Sequence, residues 1–178
     1  MKLIGILACV FLLWVIILSI GMIEFDPKPL DQLCVGARCL LLPGLEEQLA
    51  LGREVSASTQ KFWREQSDEA RRHWMCPERM ALSNVLYHVR TFCAGKKRVW
   101  ANGILFDLSN LVGLNAQVSG EPLWHYQAPR DMRDRVRDMP ATRLVPIGDA
   151  LDIPGVPHEP IYDCISQAWQ VWAHQQNN

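Results

Sequence analysis

The side chains to weigh first for chemistry in this sequence are its cysteines. Cys34, Cys39, Cys76, Cys93 and Cys164 all follow the apolar N-terminal run. Cys34 and Cys39 have four residues between them, not the two of a redox C-x-x-C pair, so structural disulfides are the plainer reading. His73, Cys76, His88 and Cys93 have the donor chemistry of a zinc site. On a continuous helix, however, His88 and Cys93 point about 140° apart, and Cys93 lies about 25 Å from Cys76. No metal is assigned, and no motif calls for a cofactor.

His158-Glu159 with Asp163 and Cys164 is the other dense cluster. A nucleophilic cysteine needs a lowered pKa and an adjacent base, which His158 supplies only if its loop folds back. No carboxylate pair has the context of a glycosidase. No catalytic residue is therefore assigned. Trp124, His125 and Tyr126 fall outside any helical stripe and are the expected interaction surface, because aromatic residues are enriched at interface hot spots.

The elements that position these residues begin with Leu3–Ile23, an uncharged apolar run that would span about 30 Å as a helix. It reads as a retained transmembrane anchor, longer than the apolar core of a signal peptide, although Ser19-Ile20-Gly21 offers a cleavage site. Lys2 before it and Glu24 and Asp26 after it favour a cytoplasmic N-terminus. The cysteines suit an oxidising compartment on the far side, and the lack of an Asn-x-Ser/Thr acceptor favours a bacterial periplasm. Residues 24–44 form a proline-containing linker with the Cys34/Cys39 segment.

Residues 45–176 are expected to form one mainly helical domain. Leu45–Met75 shows an approximate apolar stripe weakened around Gly52 and Ser56–Thr59. Pro77–Ala94 has a clean apolar face and a glycine beyond its end. Ile104–Leu114 reads as a short helix, Gly120–Pro129 as an extended segment, Pro129–Met139 as a charged helix, Arg143–Ile147 as a short strand, and Pro160 to about Gln175 as the last helix. An antiparallel hairpin at Pro77 would allow bridges from Cys93 to Cys34 or Cys39 and from Cys76 to Cys164.

The reading is thus a mainly α fold: an N-terminal transmembrane helix, then a small disulfide-bearing helical domain with few strands. A net charge of −1 gives no field that would attract nucleic acid. The expected function is a non-catalytic periplasmic accessory or scaffold subunit of an envelope assembly of the secretion, conjugation or lysis type. Its expected partners are membrane lipid through residues 3–23 and other envelope proteins, with no nucleic acid. The alternative is a periplasmic enzyme acting on cell wall or thiols, with Cys164 and His158 as the residues to suspect.

Overall fold

A computed structural model describes residues 3–8, 15–26, 33–72, 75–136 and 155–175. It replaces the expected membrane helix with two strands, β1 (Leu3–Ala8) and β2 (Ile20–Asp26), paired antiparallel with Leu7 opposite Gly21. The reason is burial on two sides. Strands in the middle of a sheet covered on both faces read as continuous apolar sequence, much as a membrane helix does. Among the described residues, no helix is long and apolar enough to cross a membrane. Both the anchor and the mainly α class are therefore corrected.

Three further strands complete one sheet: β3 (Cys34–Leu41), β4 (Val99–Ala101) and β5 (Pro129–Asp131), in the order β3-β2-β1-β4-β5. The β1–β2 and β2–β3 pairs are antiparallel, whereas β1–β4 and β4–β5 are parallel. Among the described residues the helices are α1 (Leu45–Ala50), α2 (Ala57–Arg64), α3 (Asp68–Arg71), α4 (Leu82–Cys93), α5 (Asp107–Val118), α6 (Met132–Val136) and α7 (Pro160–Gln175).

Strand alternation sorts the core into two layers. Ile20, Met22, Val99 and Ala101 pack with Val85, Leu86 and Val89 of α4 and Leu108, Leu111 and Leu114 of α5. Ile23, Phe25 and Trp100 project to the other face, against Met132 and Val136 of α6 and Cys164, Ile165, Ala168 and Val171 of α7. The result is a helix–sheet–helix sandwich.

The expected helix over Leu45–Met75 is three short ones. Gly52 takes φ 77°, which a continuing right-handed helix cannot contain. Ser56 Oγ accepts from the Thr59 amide and Ser67 Oγ from the Ala70 amide, both at 3.1 Å, so α2 and α3 each start afresh. The charged helix expected from Pro129 opens instead as β5 and becomes helical only at Met132. The strand expected over Arg143–Ile147 lies outside the described residues.

Before β2 the chain runs buried without a ladder partner on Ile17, and side chains substitute for one. Gln48 Oε1 accepts from the Ile17 amide at 2.7 Å, and its Nε2 donates to the Ile17 carbonyl at 3.0 Å. Arg53, also buried, donates through Nε and Nη2 to the Val15 carbonyl at 3.1 and 2.8 Å. Unpaired buried peptide groups cost about 1–3 kcal/mol each, so these two residues make the segment tolerable in the core.

Gly21 is the closest approach between the sheet and α7. A Cβ there would lie 2.6 Å from the Pro160 carbonyl oxygen and 2.8 Å from its carbon. Backbone atoms cannot swing aside as a side chain can, so Gly21→Val should destabilise by at least about 1–3 kcal/mol. Chemical denaturation checks this; an unchanged midpoint would mean that α7 is not seated on β2.

Candidate functional site at the carboxyl edge of the sheet

In an open sheet with parallel strands, ligands bind beyond the carboxyl ends where the strand order reverses. Here β1 leads to β2 and β3 on one side and, through α1–α4, to β4 on the other, so the switch point lies between β1 and β4. Two helices begin at this edge from opposite faces. The chain leaves β4 through Asn102–Phe106 into α5, and α7 starts where Pro160 meets Gly21, opposite the end of β1.

The loop after β4 is fastened by the end of β5 and the start of α6. Asp131 Oδ2 accepts from the Ile104 amide at 3.0 Å, and Oδ1 from the Arg133 amide at 2.9 Å. The Arg133 guanidinium lies over Gly103 and donates through Nε to Asn102 Oδ1 at 3.0 Å. Gly103 has φ 108°, and a Cβ there would lie 3.1 Å from that guanidinium carbon, so glycine is needed on both counts.

This arrangement delivers Asp107 to the first turn of α5, where it is only 3% exposed. Its Oδ2 has no hydrogen-bond partner among the described residues. Burial pushes its carboxyl up to about 8, with Arg133 opposing and Asp131 reinforcing the shift. Asp107 is therefore largely protonated at neutral pH, and an orphaned buried carboxyl is costly unless something occupies its free oxygen.

On the other face, His158 sits in the loop before α7 with φ 70°, the one non-glycine residue at positive φ among the described residues. Such strain persists where the surroundings hold it and is concentrated at functional sites. Asp163 Oδ1 accepts from the His158 amide at 3.1 Å, and Glu159 Oε2 from the Tyr162 amide at 2.7 Å, which fixes the loop as it enters α7. The His158 ring packs edge-on against Phe62, with centroids 5.1 Å apart. Burial lowers its pKa, so the imidazole is neutral at pH 7, a proton acceptor. Burial raises Asp163 to about 6, partly offset by the His158 amide, while Glu159 adds to the rise.

The residues singled out from sequence are dispersed. Cys164 is fully buried in the apolar layer beneath α7, which removes it as the nucleophile beside His158. Cys93 is buried in the opposite layer, its thiol pushed up to about 12 by burial and eased by Lys96. Cys34 and Cys39 lie on β3, Cys76 on the segment before α4, and no disulfide joins any two of the five among the described residues. Among those residues no group of three or more His, Cys, Asp or Glu could hold a metal ion, and His73 lies outside them. Trp124, His125 and Tyr126 lie in the loop before β5, at the amino edge. Asp107 carries no motif; only its place just after Val99–Ala101 and Gly103 would have marked it.

The unfavourable burial of Asp107 has a readable pH signature. Between its ordinary value of 3.8 and about 8, the folded chain holds a proton that the unfolded chain has released. Stability therefore falls as pH rises through that window, by up to about 1.4 kcal/mol per unit, and levels off above it. Asp163 adds to the fall at the acidic end of the window, up to about 6. Asp107→Asn has no charge to bury, so between about pH 6 and about pH 8.5 its melting temperature should fall less than the parent's. Parallel melting curves for the two proteins would show that Asp107 ionises freely.

Residues 14–175 match the model of the family described as 3'-5' exoribonuclease Rv2179c-like domain. No curated protein matches the chain. The family match overturns the scaffold reading, its secretion and conjugation associations, its envelope partners and its exclusion of nucleic acid. The inner-membrane placement falls with the strands that replace the anchor. The chain belongs to the 3'-5' exoribonuclease Rv2179c-like domain family.

Proposed function

We propose that this protein processes RNA from the 3' end at the carboxyl edge of the sheet, where α5 and α7 begin. The observation that carries the reading is the partnerless, buried carboxyl oxygen of Asp107 at the switch point of a chain in this family. His158, neutral at pH 7, is the proton acceptor for an attacking water. Asp163 is a positioning residue: through the His158 amide it holds the strained loop that presents the imidazole.

Nucleases of many kinds use divalent cations. Mg²⁺ is commonly bound through one or two carboxylates plus substrate phosphates, so it does not need an all-protein cage. The free oxygen of Asp107 fits such an ion, with the RNA supplying further ligands, whereas a two-ion clamp asks for more carboxylates than the described residues bring together. A bound cation would polarise the phosphoryl oxygen. Because Asp107 must give up its proton to serve as a ligand, cation affinity should rise with pH towards and past 8.

Single-stranded RNA labelled at its 5' end, incubated with Mg²⁺ near pH 8, should shorten progressively from the 3' end, while a circular RNA of the same sequence survives. His158→Ala should slow shortening by about 100-fold or more, and Asp107→Asn should abolish its dependence on Mg²⁺ concentration. Equal loss of linear and circular RNA, or an unaffected Asp107→Asn variant, would refute the assignment.

A further inference from the structure

The opposite edge of the sheet carries a second feature that the proposed chemistry does not use. Between the end of α4 and the loop entering β5 lies an open cleft of about 570 Å³, within the size range of ligand sites. Its basic wall is Arg90, Lys96, Lys97 and Arg130, and its aromatic wall is Trp124 and His125. Residues 94–98 precede β4 and residues 121–128 precede β5, so the cleft opens at the amino ends of these strands, opposite the edge where α5 begins.

The four cations are not equivalent. Arg90 is paired with Glu121 at 3.0 Å and Lys96 with Glu24 at 2.9 Å, so their charges are largely balanced. Lys97 and Arg130 are exposed and have no carboxylate partner among the described residues. Arg130 is nonetheless held in place, because its Nη1 donates to the carbonyls of Gln127 and Pro129, each at 2.6 Å. A guanidinium fixed by neutral acceptors keeps its full charge for an anion.

The aromatic wall is ordered as well. The His125 and Tyr126 rings lie 4.6 Å apart at 35°, the His125 carbonyl accepts from Ala128 N at 2.8 Å, and Trp124 rests partly on the core. Charge that tracks a phosphate backbone beside rings on which bases can stack is how proteins bind single strands without reading sequence. The overall charge of −1 does not oppose this, because affinity follows the local field.

We infer that the cleft formed by Lys97, Arg130, Trp124 and His125 is a second RNA-binding subsite, which takes the phosphates and bases of a single strand away from the 3' end being processed. Its assignment to RNA rests on the proposed function; its geometry does not. Lys97 and Arg130 each contact one phosphate, and His125 stacks on an adjacent base.

The test compares parent and the Lys97→Ala/Arg130→Ala double variant, both substitutions being at exposed positions. Fluorescence anisotropy with a 20-nucleotide single-stranded RNA is read across a salt series. The variant should bind about tenfold more weakly near 0.1 M salt, and the slope of log affinity against log salt should shrink by roughly 0.7 per lost contact, about 1.4 in all. Shortening of a dinucleotide, too short to occupy both edges, should be the same in both proteins. Unchanged affinity and slope would overturn the subsite whether or not the parent shortens RNA. If the parent fails to shorten any RNA but the variant still loses affinity and slope, the subsite stands and the processing reading falls. His125→Ala should weaken binding without changing the slope; a changed slope would overturn stacking as its role.

Discussion

The close approach of Pro160 to Gly21 is the contact on which the rest of the site depends. It seats the start of α7 against β2, opposite the end of β1, and so brings His158 and Asp163 to the edge where Asp107 begins α5 from the other face. The contact needs the missing Cβ of a glycine. It also needs β2 inside the sheet, with helices on both sides. The apolar N-terminal run is thus what makes the site possible, because only strands buried on both faces let one helix approach from each.

Function and stability pull against each other at this edge. Asp107 is buried where its ionised form is disfavoured, and its free oxygen gains nothing from the fold. His158 is held at an unfavourable φ. Both costs are borne by the two packed layers around them, and both leave groups ready for a ligand: a carboxyl that ionises when something compensates it, and an imidazole kept neutral. Cys93 shows that burial alone does not make a site. Its thiol is shifted strongly, but it packs within an apolar layer.

Parts of this were legible in the sequence. The apolar stripe of Pro160–Gln175 gave the last helix with its start in place, and Cys164, Ile165 and Ala168 do face the core. The clean face at Leu82, Val85, Leu86 and Val89 gave α4, although Ala81 rather than Pro77 caps it. The N-terminal run was not legible as strands, because period-two alternation vanishes when both faces are buried; what remains is an uncharged stretch of the right length for a bilayer. Gly21 within the run and the β-branched Val15-Ile16-Ile17 were the signs pointing away from a helix. The strands β4 and β5 are three residues each, too short for any periodicity to show. Asp107 was missed because nothing local distinguishes it from a helix-starting aspartate; its significance comes from Arg133, Asp131 and the packing of α5 on the sheet. His158 and Asp163 stand out in the sequence as a cluster with Cys164, whose burial only the fold reveals.

The proposed function requires the 3' end of an RNA strand to enter between the starts of α5 and α7. Photocrosslinking from a single 4-thiouridine at the 3' terminus of an otherwise unmodified RNA, followed by peptide mapping, tests it most directly. Adducts are expected among residues 102–107 and 155–163. Adducts confined to the amino edge or to the outer helix faces, with none in those two stretches, would contradict it.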